Sequence, residues 1–174
     1  MPAGQTWMLR RRTFSAAPPA YAGLDPLLAR ILYARKIEDP AEVRAYLSPA
    51  ADEGNPFLLK GMRQAVARLL WAVHHGERIV VYGDYDTDGV TATALVLGAL
   101  ERIGAHARPY IPDRFSEAYG LNTPALESLR AEGADLVVTV DCGIRSVAEV
   151  ARAVEIGLEM IVTDHHSVPE VLPE

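Results

Sequence analysis

At 174 residues, 49% hydrophobic and with a formal net charge of −6, the chain has enough apolar content to bury the core of one domain with an appendage, but not of two full domains. The acidic balance excludes a protein whose whole surface attracts nucleic acid, so any such contact must be local. The one cysteine, Cys142, excludes an internal disulfide and a multi-cysteine metal site and fits a reducing compartment, with the cytoplasm as the expected location.

Residues 1–23 carry Arg10, Arg11, Arg12 and a Pro-Pro pair and read as an irregular arm whose arginines form a solvated charge run. Arg11-Arg12 followed by Ala20-Tyr21-Ala22 imitates an export signal, but Ser15, Pro18 and Pro19 interrupt the apolar stretch that such a signal needs. No segment approaches the roughly 20 apolar residues of a spanning helix, so no membrane partner is expected. Asp25-Pro26 and Asp39-Pro40 each offer a capping residue followed by proline at the first helical position, which predicts short helices over 25–34 and 39–47. Residues 1–60 therefore read as an arm and helical preface, and residues 61–174 as the main domain.

From Met62 the apolar positions Val66, Leu69, Leu70 and Val73 recur at helical spacing up to Gly76. His74 and His75 fall in that last turn, where the helix dipole favours them; adjacent residues do not share a helix face, which argues against a metal pair. Strands are then predicted at 79–82, 107–111, 136–140 and 160–163, alternating with helices at 90–103, 123–131 and 146–156. This alternation predicts an α/β fold, a parallel sheet with helices on both faces.

Chemistry-bearing residues follow each strand. Asp84, Asp86 and Asp88 come after the first, Asp113 and Arg114 after the second, Asp141 after the third, and Asp164, His165 and His166 after the fourth. Ligands of open parallel sheets bind at the carboxyl ends of the strands, so four strands deliver acids, an arginine and two imidazoles to one edge.

The run D-x-D-x-D-G from Asp84 also opens helix-loop-helix calcium sites, but these need a bidentate Glu at the twelfth position, which here is Leu95, and an entering helix where this chain has a strand. An Asp- and Gly-rich surface turn would not need three acids at alternate positions after a buried strand. Crowded carboxylates call for a hard divalent cation such as Mg²⁺ or Mn²⁺, and an added imidazole moves the preference toward Mn²⁺. Asp84, Asp86, Asp88, Asp141 and an imidazole from His165 or His166 suit two ions and phosphoester hydrolysis. Asp164 can orient an imidazole, and the remaining imidazole can contact phosphate or assist proton transfer. Phosphate-cradling glycine loops and a serine nucleophile elbow are absent from the sequence. Cys142, beside Asp141, reads as a packed residue, because a neighbouring carboxylate disfavours the thiolate.

The segments VYGDYDTDGVTATALV, PYIPDRFSEAYGLN, VVTVDCGI and VTDHH, in this order, resemble the signature motifs of the DHH phosphoesterase superfamily and of its RecJ single-strand-specific exonucleases. The preface DPLLARILYARKI and DPAEVRAYL is similar to RecJ as well. The resemblance implies 5′-to-3′ removal of nucleotides from single-stranded DNA in repair and recombination, with Mn²⁺ or Mg²⁺, two ions in the complete site. It places metal ligation on Asp84, Asp86, Asp88, Asp141 and His165, a catalytic or substrate role on His166 with Asp164, and substrate contact on Arg114 and Tyr119. Ala118 stands where the family carries Gly. Single-strand-binding protein and a helicase are the partners it implies. It also implies that this chain matches the N-terminal part of a longer enzyme, with an incomplete DHH-type domain expected to be poorly active alone. Two other readings are a DHH phosphoesterase acting on short oligonucleotides or small phosphonucleotides, which would lack the helical preface, and a non-catalytic replication scaffold, which would have lost ligands present here.

Overall fold

The computed structural model describes residues 18–48, 54–117 and 119–174. The chain divides into two compact units between Pro56 and Phe57. Arg10 to Arg12 and Ala118 lie outside the described residues.

In the first unit a 3₁₀ turn at Pro19–Tyr21 precedes α1 (Pro26–Ala34) and α2 (Pro40–Leu47). Both helices begin at Asp-Pro. The Asp25 carboxylate accepts from the Leu27 amide at 2.8 Å and the Asp39 carboxylate from the Ala41 amide at 2.7 Å, which satisfies donors that the first helical turn otherwise leaves unpaired. Tyr21, Ala29, Leu32, Ile37 and Val43 form a small core, and the Tyr21 hydroxyl donates to the Ile37 carbonyl at 2.7 Å.

The second unit runs α3 (Met62–His75), β1 (Arg78–Tyr82), α4 (Thr87–Arg102), β2 (His106–Tyr110), α5 (Thr123–Ala131), β3 (Leu136–Thr139), α6 (Val147–Glu155) and β4 (Glu159–Val162). The four strands form one parallel sheet in the order β2-β1-β3-β4. Successive strand residues point to opposite faces, and two apolar layers result. Val80, Tyr82 and Val137 pack with Leu126 and Leu129 of α5 and Val150 and Ala153 of α6. On the other face Ile79, Val81, Leu136 and Val138 pack with Ala72 of α3 and Leu100 of α4. β1 and β3 are therefore buried on both sides, as their Val/Ile/Leu runs anticipate, whereas edge strand β2 (HARPY) is largely exposed.

Two details depart from the sequence reading. Leu70 is exposed, since α3 turns Ala72, Leu69 and Val73 to the sheet. Helix α4 starts at Thr87 rather than Val90, because Asp86 caps it: its Oδ1 accepts from the Asp88 amide at 2.9 Å and the Gly89 amide at 3.1 Å. Gly89 allows this early start. A Cβ there would lie 2.5 to 2.7 Å from the Asp84 backbone, so only glycine lets the first turn of α4 rest on that segment.

The sheet order places a reversal between β1 and β3. From β1 the chain crosses by α4 to β2 on one side, then by α5 back to β3 on the other side of β1, and by α6 to β4. Crevices of open α/β sheets form at such a reversal, at the carboxyl ends of the strands.

Gly89→Ala is expected to cost about 2 kcal/mol by overpacking α4 against Asp84, read as a lower urea midpoint with an unchanged m-value. A loss under about 0.5 kcal/mol would show that α4 moves aside freely.

Candidate metal centre

The strand register carries the site. Tyr82 pairs with Thr139, and Thr139 with Val162, so these residues form a row across β1, β3 and β4. Asp84, Asp141 and Asp164 each lie two residues beyond that row. The acids thus arrive side by side at the end of the sheet where β1 and β3 meet.

Asp84 is fully buried and Asp141 is 8% exposed. Ligand atoms of Asp84, Asp86 and Asp141 lie within 4.8 Å of one another, and so do those of Asp141, His165 and His166. Asp141 belongs to both groups. Asp88 stands in the first turn of α4 and lines an open groove with Asp141, Asp164 and His165, but its carboxylate is not among either set of converging atoms.

Hydrogen bonds leave part of this charge uncompensated. Asp84 Oδ1 accepts from the Tyr85 amide at 2.6 Å, while its Oδ2 is buried with no hydrogen-bond partner. Asp141 Oδ1 lies 2.7 Å from His165 Nε2 and 4.0 Å from His166 Nδ1, and it makes no hydrogen bond. Burial raises the Asp84 carboxyl above its ordinary value; the charges of Asp86 and Asp141 add to this, and the Tyr85 amide and Tyr119 hydroxyl oppose it. Within 4.8 Å of one another, ionised carboxylates repel, most strongly between buried Asp84 and Asp141 and less toward exposed Asp86, which solvent screens.

Asp164 has a different role. Its Oδ1 accepts from the His166 amide at 3.0 Å and contacts His166 Nδ1 at 2.7 Å, and its Oδ2 accepts from the Ile144 amide at 3.0 Å. Although burial opposes the charged form, these bonds prevail and hold the Asp164 carboxyl below its ordinary value. The Asp164 contact in turn raises the pKa of His166. With Nδ1 engaged, His166 Nε2 faces the Tyr119 hydroxyl at 3.3 Å. His165 is exposed and reaches Asp141, not Asp164.

The predicted substrate residues lie along one rim. The Arg114 guanidinium sits over the Tyr85 ring, 5.2 Å from its centroid. Tyr85 meets Tyr119 edge to face at 6.0 Å, and Tyr119 meets the His166 ring at 6.2 Å. The sequence does not single out Tyr85; its place between Asp84 and Asp86 masks an aromatic that lines the site. Cys142 is buried with Sγ 3.8 Å from the Tyr82 carbonyl, and burial pushes its thiol up to about 12, as befits a packed residue. His75 stacks on Trp71 at 3.8 Å, and its Nδ1 lies 2.8 Å from the Trp71 carbonyl in the last turn of α3.

A polar hub that the sequence reading missed supports the rim. Glu117 Oε1 accepts from the Tyr110 hydroxyl at 2.6 Å and the Asn122 amide at 3.3 Å, and its Oε2 accepts from the Asp113 amide at 2.8 Å. Asn122 Oδ1 also caps α5 by accepting from the Ala125 amide at 2.8 Å, and its Nδ2 donates to the Tyr82 hydroxyl at 3.2 Å. The segment that carries Arg114 and Tyr119 is thereby tied to β1, β2 and α5. The Tyr110 bond, followed by the Asp113 amide, lowers the Glu117 carboxyl below 4.5, and burial, with Glu117 second, pushes the Tyr110 phenol up to about 12. Asn122 before Thr123-Pro124 is a capping signal visible in the sequence; Glu117 carries no such mark.

Residues 78–174 match the DHH family, N-terminal domain, and the chain belongs to that family. The single-stranded-DNA-specific exonuclease RecJ of Bacillus subtilis (strain 168) is 42% identical over 152 residues, which cover 87% of this chain and 19% of the relative. Among solved structures, an exonuclease RecJ bound to manganese is 45% identical with a TM-score of 0.62, over 67% of this chain and 30% of that one. RecJ from Thermus thermophilus in complex with Mn²⁺ is 35% identical with a TM-score of 0.61, over 90% of this chain and 22% of that one. The chain spans about a fifth to a third of the length of these proteins.

A carboxyl held low by partners stabilises the fold above its ordinary pKa, and that contribution is lost as pH falls through the folded value. Glu117→Gln is therefore expected to cost about 1 kcal/mol at neutral pH, and the gap from wild type should close as pH falls below 4.5. A pH-independent gap in chemical unfolding would contradict this role for the Glu117 charge.

Proposed function

We propose that this chain is the metal-binding part of a single-stranded-DNA exonuclease of RecJ type, which removes nucleotides 5′ to 3′ in DNA repair and recombination. One observation carries the reading: the buried carboxylates of Asp84 and Asp141, each with an oxygen that no hydrogen bond satisfies, converge with Asp86 and the DHH imidazoles at the reversal of a parallel sheet. Such a donor set fits a hard or borderline divalent cation, because only positive charge offsets this crowding without protonating the acids. Mn²⁺ or Mg²⁺ is the proposed cofactor, with Mn²⁺ favoured by the imidazole ligand and by the manganese complexes of the similar RecJ structures.

Asp84, Asp86 and Asp141 would hold one ion, and Asp141 with His165 a second, with Asp88 as a further carboxylate at the mouth of the groove. When bound, the pair of ions activates water and polarises the phosphoryl group. The protein supplies position. Asp164 fixes the His166 ring and favours its protonated form, which leaves Nε2–H available to a phosphate oxygen or a leaving oxygen. Arg114, held against Tyr85, offers a charge-assisted contact to phosphate, and Tyr119 presents both a ring edge and a hydroxyl beside His166. The substrate is single-stranded DNA, and the partners are those of the RecJ resemblance, a single-strand-binding protein and a helicase. No helix among the described residues is long and apolar enough to cross a membrane, and the proposed location is the cytoplasm.

Mn²⁺ at a hundredfold excess over its Kd is expected to stabilise the metal-free protein by about 2.7 kcal/mol, roughly 5 to 10 °C in melting temperature for a chain of this size. The shift should vanish in the double variant Asp86→Ala, Asp141→Ala. An equal shift in both proteins would remove the carboxylate cluster as the binding site.

In a full-length enzyme of RecJ type that carries this segment, Asp141→Asn should leave the fold intact and lower nucleotide release from 5′-phosphorylated single-stranded DNA by about a thousandfold or more, because the ligand shared by both groups loses its charge. Activity retained within about tenfold would show that Asp141 is not shared.

A further inference from the structure

Asp141 has a backbone φ of +63°, in the left-handed region that non-glycine residues enter at a cost. A buried carboxylate on such a backbone is held only if its surroundings fix the turn. The hydroxyl of Thr139, a fully buried residue at the end of β3, lies where both sides of the site meet. It donates to the Cys142 carbonyl at 2.8 Å, closing the turn that contains Asp141, and at 3.2 Å it shares with the Thr139 carbonyl the amide of Thr163, immediately before Asp164. The Thr163 hydroxyl returns a bond to the Thr139 carbonyl at 2.6 Å. Gly143, with a φ of +104°, leaves room for this arrangement; a Cβ there would lie 3.2 Å from Thr139 Oγ1.

We infer that Thr139 is a positioning residue of the metal centre: its hydroxyl ties the Asp141 turn to the strand end that carries the Asp-His-His triplet, and so sets the spacing between Asp141 and His165. This rests on the metal-centre reading above. Asp141 and His165 come from different strands, β3 and β4, and converge within a contact of 2.7 Å. The strand pairing ends at Thr139 and Val162, and one further backbone bond, from the Thr163 amide to the Thr139 carbonyl at 3.3 Å, reaches past it. Beyond that row, the Thr139 and Thr163 side chains continue the tie. A carboxylate displaced by a fraction of an ångström keeps its charge but loses its ligand geometry, and loss of such supporting bonds typically costs about 10- to 100-fold in metal affinity. Valine fills the volume of threonine but can neither donate to Cys142 nor accept from Thr163, whereas serine can do both.

The experiment is calorimetric titration of the metal-free protein with Mn²⁺, well below its melting transition, for wild type, Thr139→Val and Thr139→Ser. Thr139→Val is expected to bind about tenfold or more weakly while fully folded, and Thr139→Ser to remain within about threefold of wild type. If Thr139→Val does not fold, Thr139→Ala, which also lacks the hydroxyl, takes its place with the same expectation. Equal affinity in wild type and the hydroxyl-free variant overturns this inference alone. Loss in Thr139→Ser as large as in Thr139→Val also overturns it, by assigning the effect to packing. Failure of wild type to take up Mn²⁺ overturns the metal reading and this inference with it.

Discussion

The structure is governed by negative charge gathered where β1 and β3 emerge side by side. A parallel sheet aligns its carboxyl ends, and the reversal in strand order opens a crevice at that line. Asp84 and Asp141 enter it from buried strands, so neither can turn away to solvent. Repulsion between ionised carboxylates this close is strongest where burial removes the screening of water, as it does for Asp84 and Asp141. A cation within the cluster or protonation of an acid relieves it; the Asp84 carboxyl is raised first by its burial, and the charges of Asp86 and Asp141 add to that.

Much of the remaining local structure holds these groups in place against that repulsion. Asp86 caps α4, and the positive end of the helix dipole is thereby directed toward the acids. Gly89 lets that helix end rest on the Asp84 backbone. Asp164 is partnered on both oxygens and acts as a support for His166 rather than as another bare charge. The Glu117 and Asn122 hub does the same for the rim, converting a long connection into one anchored to two strands and a helix. The neighbouring acids thus differ in their hydrogen bonds: Asp84 and Asp141 each keep an oxygen that no hydrogen bond satisfies, as the proposed ligand role requires, while Asp164 is saturated and supports His166.

What was legible in the sequence was what obeys a period or a local rule. The Val/Ile/Leu runs of β1 and β3, the alternation with helices and the Asp-Pro caps of α1 and α2 require no tertiary information, and they placed the acids on one edge. The motifs then led to the family. Less legible were features decided by packing between distant segments. Asp86 acting as the cap of α4 moved the helix start by three residues and carried Asp88 onto its first turn, away from the converging atoms. Leu70 has the right spacing for a buried face, yet the sheet lies against Ala72 instead. Glu117 is one acid among many until Tyr110, Asp113 and Asn122 surround it, and Thr139 is an ordinary strand residue until Cys142 and Thr163 come to its hydroxyl.

The central claim is that the carboxylates at the β1–β3 reversal form a two-cation site. The most direct measurement is anomalous diffraction at the manganese edge from crystals of this protein grown with Mn²⁺. The account predicts two peaks, one among Asp84, Asp86 and Asp141 and one between Asp141 and His165, with the Asp141 carboxylate touching both. No peak at this edge, or manganese bound elsewhere while Asp84 and Asp141 remain bare, would contradict it.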